Sequence, residues 1–484
     1  MDYGVVTKLL GRLLIFQAGA LLLPLFVSAY YREMDVVLAF IYVIVLLVTI
    51  GGIMEKGAKG KRQIGIKEGL VIVTGGWVLT SFFGSLPFVF SGSLPSLIDA
   101  FFETVSGLTT TGSTLIDNIE ALPRGILFWR SFTHWIGGMG ILVLTLAILP
   151  AIGVGGLQIF KAESPGPISD KMVPRIRDTA TILYTSYFGL TLLLIILLLL
   201  GKLSLYDAAV HTFGAVGTGG LSIYQDSIGA YSSNYVIFTI GIFMVASGVN
   251  FSLYYELFKG NWREFVQDSE LKLYLFIIGA SLILITLNLY GKDIYGSLFE
   301  TFKHAFFQIS SIITTTGYIT TDYEKWTSFS KGILFLLMFV GGCGGSTAGS
   351  IKVIRILILL KLVKREVLKI LHPRAVIPIR VNCKVVSPDL VTGISSFFFL
   401  YLLFQVMGTL LISLEGIDLT SAASAVAATL GNIGPGFGVV GPTQTFSSFS
   451  GASKLFFSFL MLFGRLELYT VFILLLPNFW YERI

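Results

Sequence analysis

Apolar runs long enough to cross a bilayer, about 20 residues each, alternate along this chain with short polar interruptions. The runs are solid, and the one ending at Leu200 is nearly all Leu and Ile. A transmembrane β-barrel would need period-two alternation instead. The pattern predicts ten spanning helices, at about residues 8–28, 36–54, 68–90, 125–150, 180–200, 235–258, 271–290, 332–364, 388–413 and 454–476. Between the third and fourth, fifth and sixth, seventh and eighth, and ninth and tenth lies a short amphipathic segment followed by a polar string. The strings are Thr109-Thr110-Thr111-Gly112-Ser113, Gly217-Thr218-Gly219-Gly220, Thr314-Thr315-Thr316-Gly317-Tyr318 and Asn432-Ile433-Gly434-Pro435. Each is too short and too polar to span. Each reads as backbone that dips into the protein at membrane depth and turns back.

The strings are parts of a longer repeat. Leu97-Ile98-Asp99-Ala100 aligns with Leu205-Tyr206-Asp207-Ala208, and without a gap Gly112 then meets Gly220. Gly317 and Gly434 fall at the same place in the third and fourth copies, and Arg124-Gly125-Ile126-Leu127-Phe128 matches Lys331-Gly332-Ile333-Leu334-Phe335. The expected organisation is all-α and polytopic: two extra N-terminal helices over 1–62, then four units over 63–178, 179–265, 266–384 and 385–484. Each unit is helix, half-helix, polar string, helix, and four of them imply pseudo-fourfold symmetry around an axis. The half-helices would turn their partially negative C-terminal ends to that axis. Irregular backbone at membrane depth is tolerated where it lines a cavity, and rings of carbonyls can replace a cation's hydration shell. Glycine permits the positive φ that such a turn needs. The candidate filter is therefore Thr110, Thr111 and Gly112; Thr218, Gly219 and Gly220; Thr315, Thr316 and Gly317; and Asn432, Ile433 and Gly434. The threonines would add carbonyls or hydroxyls. The alternative is helix-packing glycine, common in membranes.

Composition agrees with the membrane reading. Of 484 residues 54% are hydrophobic and 13% charged, against roughly 25% charged in a soluble protein, and the mean hydropathy is +0.82. Two cysteines and four scattered histidines give no metal motif or disulfide framework. The first apolar run lacks a small-residue cleavage site, so no signal peptide is expected. With the N-terminus inside, the inner loops hold 21 Lys and Arg against 8 outside. The positive-inside rule then puts both termini in the cytoplasm and lets all four strings enter from outside. The outer segments carry acidic residues such as Asp99, Glu103, Asp117, Glu120 and Glu324. These are either a cation-concentrating mouth or ordinary solvated loop charge.

With one key glycine per string, the four units resemble the Trk/Ktr/HKT superfamily of potassium and sodium transporters over essentially the whole chain. The two extra helices and the strings Thr-Thr-Thr-Gly and Asn-Ile-Gly-Pro-Gly resemble the TrkH branch more than KtrB. The resemblance implies potassium uptake across the bacterial inner membrane through a gated, channel-like pore. Potassium is the transported ion, with rubidium accepted and sodium weakly so. It further implies a homodimer in the lipid bilayer, one pore per protomer, regulated by a cytosolic ring of nucleotide-binding (TrkA-like) subunits. No organic cofactor, nucleic acid or enzymatic activity is implied. Glycine at all four positions resembles the potassium-selective members.

Other polar features fall within the membrane. The stretch Val340-Gly341-Gly342-Cys343-Gly344-Gly345-Ser346-Thr347-Ala348-Gly349-Ser350 interrupts the eighth helix. Glycine costs about 1 kcal/mol per residue in a helix relative to alanine, so this helix should be broken, making a candidate gate or a close packing site. Arg465 falls near mid-bilayer, where a charge costs about 2.5 kcal/mol or more. It should face the glycine stretch, or else tie one unit to another. The resemblance favours the gate reading of both. Arg130 and His134 share one helix face and should satisfy nearby polar groups. Asn250 should cap a helix or line the inner vestibule. The basic segment 352–384 would dock a partner, bind anionic lipid, or merely follow the positive-inside bias. A proton- or sodium-coupled symporter is the rival reading. A membrane enzyme is disfavoured: the sequence shows no nucleophile–base pair, and residues 341–349 lack the ending of a phosphate loop.

Overall fold

A computed structural model describes residues 1–57, 65–140 and 176–481. Six described helices are long and apolar enough to cross a membrane: Tyr3–Tyr30, Met34–Gly57, Ile66–Phe90, Thr181–Leu200, Ser269–Tyr290 and Pro388–Ser413. The first two form an antiparallel pair. Gly11 and Gly51 face each other so closely that a Cβ on either would lie 2.7 Å from the other's carbonyl oxygen. Small residues at the crossing let the backbones approach, the usual device for packing helices in lipid.

The four units follow, and the protein is an all-α polytopic membrane protein. Their outer helices are Ile66–Phe90, Ile176–Leu200, Ser269–Tyr290 and Pro388–Ser413. Their half-helices are Leu97–Leu108, Leu205–Gly217, Leu298–Ile313 and Leu419–Leu430. The half-helices start alike. Ser96, Ser204, Ser297 and Asp418 each accept the N–H three residues on, satisfying one of the four donors that every helix start leaves orphaned. Sequence fixes where each half-helix begins, and the strings fix where it ends.

The returning helices differ from the sequence expectation. They are Arg124–Gly138, Asn234–Ser247, Ser328–Leu337 and Gly451–Arg465, of 15, 14, 10 and 15 residues. At 1.5 Å per residue each covers only about half to three-quarters of a 30 Å hydrocarbon core. The predicted sixth span is two helices, Asn234–Ser247 and Phe251–Phe258, meeting at 96°. The predicted tenth breaks after Arg465, where Glu467 takes φ 62° and a short helix, Leu468–Phe472, begins. The eighth breaks as expected, between Ser328–Leu337 and Val353–Leu371. Residues 141–150 of the fourth lie outside the described residues.

Three of the returning helices share a packing demand near their ends. A Cβ on Gly138 would lie 2.8 Å from the Cα of Gly217, and one on Gly464 would lie 2.7 Å from Asn432 Oδ1. On Gly248 it would lie 3.1 Å from Thr314 Cγ2. Where a returning helix passes beneath the end of a half-helix, only glycine fits. Asn250 caps the second arm of the bent pair by accepting the N–H of Ser252 at 3.0 Å. Beyond Val353–Leu371 a hairpin pairs Arg380 with Val385 and Val381 with Lys384. Its turn residues Asn382 and Cys383 both have positive φ, 46° and 64°, as a tight two-residue hairpin turn demands.

Candidate functional site

All four strings share one backbone. The residue two before each glycine is left-handed, with φ 55° at Thr110, 56° at Thr218, 54° at Thr315 and 54° at Asn432. The glycines follow with φ 83° at Gly112, 73° at Gly220, 85° at Gly317 and 103° at Gly434. For threonine this conformation is a true outlier, with a cost of about 1–3 kcal/mol. It is held by a helix-terminating bond of the Schellman type. The N–H groups of Thr111, Gly219, Thr316 and Ile433 each reach back 2.8 Å, to the carbonyls of Ser106, Gly214, Ser311 and Ala428. The amide hydrogens of the turn thus point into the half-helix.

The carbonyls one before the glycines close a ring. A Cβ on Gly112 would overlap the Gly219 oxygen, one on Gly220 the Thr316 oxygen, and one on Gly317 the Ile433 oxygen. A Cβ on Gly434 would lie 2.8 Å from the Thr111 oxygen. The order runs from the first string to the second, third, fourth and back to the first, always in the same sense. Each glycine is therefore required twice, by its φ and by its neighbour's carbonyl. Cross-string bonds reinforce the ring: Ser113 Oγ donates to Gly434 O at 3.0 Å, and Asn432 Nδ2 donates to Thr111 Oγ1 at 2.9 Å.

The threonine hydroxyls mostly serve the scaffold. Thr109 pairs with Thr111, and Thr314 with Thr316, each at 2.7 Å, while Thr109 and Thr314 donate back to Val105 and Ser310 carbonyls. The second string departs in sequence for a local reason. A Cβ on Gly219 would overlap the imidazole of His134. That ring bridges the Gly107 carbonyl, 2.8 Å from Nδ1, and the Leu221 N–H, 3.2 Å from Nε2.

Above the ring lies a cavity of about 70 Å³ lined by all four glycines together with Ser113, Arg130, Tyr224 and Gln444. Among the described residues no carboxylate lines it. The outer acids have structural work instead. Glu103 pairs with Arg130, Asp99 with Lys454 and Glu324 with Lys331. Asp117 accepts from the hydroxyls of Thr445 and Ser447.

Beneath the ring the glycine stretch folds as a loop against the strings. Gly349 donates its N–H to Thr315 Oγ1 at 2.6 Å, and Thr347 Oγ1 donates to the Val216 carbonyl at 3.1 Å. A Cβ on Gly349 would lie 2.6 Å from the Gly431 oxygen. Gly341 bonds Ile351 across the loop's neck, and Gly345 has φ 76° beside Asn250. Gly342 packs on the Gly248 carbonyl of the second unit, and Gly344 bonds Glu270 of its own unit. Ser346 turns its hydroxyl back to the Cys343 carbonyl. Arg465 donates to the Thr347 carbonyl and to the Gly137 and Gly138 carbonyls, at 2.7, 2.7 and 3.1 Å. It therefore fastens the loop to the C-terminal end of the returning helix Arg124–Gly138. Loop and arginine line a second cavity, of about 110 Å³, with Trp77, Lys352, Arg355, Phe397 and Glu467.

Three charged groups here escaped the sequence reading. Glu270 is buried and accepts the N–H groups of Gly344 at 2.6 Å and Ile354 at 2.9 Å, one on each limb of the loop. Lys352 is 2% exposed and donates to the Ala348 carbonyl. Arg355 pairs with Glu467 and stacks 3.9 Å above Phe397. Lys352 and Arg355 counted as inner-loop charges in the sequence, and the fold instead buries them under the loop. The signal for Lys352 was its place directly after the glycine stretch. For Glu270 there was none beyond a carboxylate at a helix start.

A family model described as "TrkH: Cation transport protein" matches residues 35–481. The chain is 38% identical, over the full length of both, to the Trk system potassium uptake protein TrkH of Escherichia coli K12. It is 35% identical to the Trk system potassium uptake protein TrkG of the same strain, with 98% of each chain covered. Among solved structures, the potassium transporter TrkH from Vibrio parahaemolyticus superposes with a TM-score of 0.88 at 36% identity, covering 99% of this chain and all of that one.

Proposed function

This chain belongs to the TrkH family of cation transport proteins, and from that premise we propose that it carries potassium into the cell through a gated, channel-like pore. The observation that carries the proposal is the closed ring of four glycines and four neighbouring carbonyls. A ring of backbone oxygens with no fixed charge suits a weakly hydrated monovalent cation, which it can strip and release quickly. The relatives' names as potassium uptake proteins agree. Rubidium, near potassium in size, passes as well, and sodium poorly.

In this reading the loop 341–350 is the gate. It lies directly under the strings and is clamped by Arg465, Glu270 and Thr315. Opening withdraws the loop and the arginine together. The protein sits in the bacterial inner membrane as a homodimer, with both termini in the cytoplasm. A cytosolic ring of nucleotide-binding, TrkA-like subunits drives the loop from the inner face. The helix Val353–Leu371 supports that route, since it continues from the loop and carries Lys361, Lys364, Arg365 and Lys369. The test is ion flux into liposomes of purified protein. Rubidium should enter faster than sodium, and equal rates for the two ions would overturn the proposal.

A further inference from the structure

Behind the ring one ion pair is unlike any other among the described residues. Arg130 Nε lies 2.6 Å from Glu103 Oε1, with the two side chains 1% and 0% exposed. Glu103 sits in the half-helix Leu97–Leu108 and Arg130 in the returning helix Arg124–Gly138. The equivalent of Glu103 in the second unit is His211, in the third Gln308 and in the fourth Ala425. The equivalent of Arg130 in the third is Leu337. The pair is therefore not part of the fourfold plan.

Its remaining bonds go to the chain segments that leave the strings. Glu103 accepts the Thr114 hydroxyl on Oε1 and the Leu115 N–H on Oε2, both at 3.0 Å. Arg130 donates from Nη1 to the Ser222 carbonyl at 2.7 Å. Thr114 lies two residues past Gly112, and Ser222 two past Gly220. One buried ion pair thus ties the exits of two neighbouring strings together. One turn deeper, His134 joins the same two units through Gly107 and Leu221. Elsewhere around the ring the buried ties are neutral, Tyr318 to the His211 carbonyl at 3.1 Å and Tyr323 to the Gly436 carbonyl at 2.9 Å, and the carboxylate of Glu324, which accepts the Gly438 N–H at 2.6 Å, is partly exposed.

We propose that Glu103 and Arg130 are positioning residues that set the separation of the Gly112 and Gly220 segments, and through it the ion selectivity of the ring. The proposal rests on the pore reading above. A fully desolvated pair keeps its geometry only while both members are present, because either one alone is an uncompensated buried charge. It also fixes the sign of the vestibule wall. Arg130 lines the outer cavity, and Glu103 neutralises it there.

The test is a double-mutant cycle on the rubidium-to-sodium permeability ratio in liposomes, using the full chain, with Glu103→Gln, Arg130→Gln and the pair of changes together. Each single change should lower the ratio about fivefold, and the double change no further than either one, as expected for two groups acting as a unit. An unchanged ratio in well-folded single variants would overturn the proposal. So would additive effects, which would reduce each residue to local packing. Should the single variants aggregate, Thr114→Val decides. It removes one bond to Glu103 and leaves the pair intact, so it should lower the ratio by about twofold, and no change would overturn the proposal. Wild-type liposomes run alongside separate the two levels of argument. If they show no rubidium preference, the pore reading falls. If they do and the variants match them, only the positioning role falls.

Discussion

The ring and the floor beneath it are built on opposite principles. The ring is made of backbone, repeats four times and is held by four identical 2.8 Å bonds from turn to half-helix. The floor is made once, by the third unit's loop, and is held by charged side chains, Glu270 and Lys352 of the same unit and Arg465 of the fourth. A repeated backbone cage has one arrangement, and any side chain added to it meets a carbonyl. A loop clamped by charged groups has an alternative, since each clamp can be released without disturbing the ring. In the proposed reading, selectivity belongs to the symmetric part and gating to the asymmetric part.

Three changes probe that division, in falling order of effect. Gly220→Ala places a methyl group on the Thr316 carbonyl and demands positive φ from alanine. Overpacking of this kind costs about 1–3 kcal/mol, so the rubidium-to-sodium permeability ratio should fall about tenfold or more. Arg465→Ala removes three charge-assisted bonds to carbonyls. Single-turnover rubidium efflux should rise about fivefold, an imbalance of roughly 1 kcal/mol in favour of the open loop, with the permeability ratio unchanged. Gly434→Ala is the weakest breach of the ring, because its methyl group would stand 2.8 Å from the Thr111 oxygen rather than on top of it. Its ratio should fall by about threefold, and a loss as large as that of Gly220→Ala would mean that the glycines serve only through φ.

The ring was legible because it is repeated. One glycine among 53 means little, whereas four at equivalent places after matched half-helices mark a single geometric demand. The breaks at 248–250 and 466–467 were hidden because one or two residues suffice to end a helix inside an apolar run. They lie where the chain passes under another unit, a fact of packing. The second string lacks the run of threonines because His134 fills the space a side chain at Gly219 would need. Lys352 read as solvated positive charge because nothing in the local sequence shows that the preceding loop folds back up to the strings. Glu103 and Arg130 were each visible as charges, but their pairing joins two helices across 27 residues of chain.

The division itself is tested most directly by measuring rubidium and sodium permeability for Gly220→Ala and Arg465→Ala side by side in the same liposomes. The account predicts a collapsed ratio in the first and a preserved ratio with faster flux in the second. A preserved ratio in Gly220→Ala, or an equal loss of selectivity in Arg465→Ala, would contradict it.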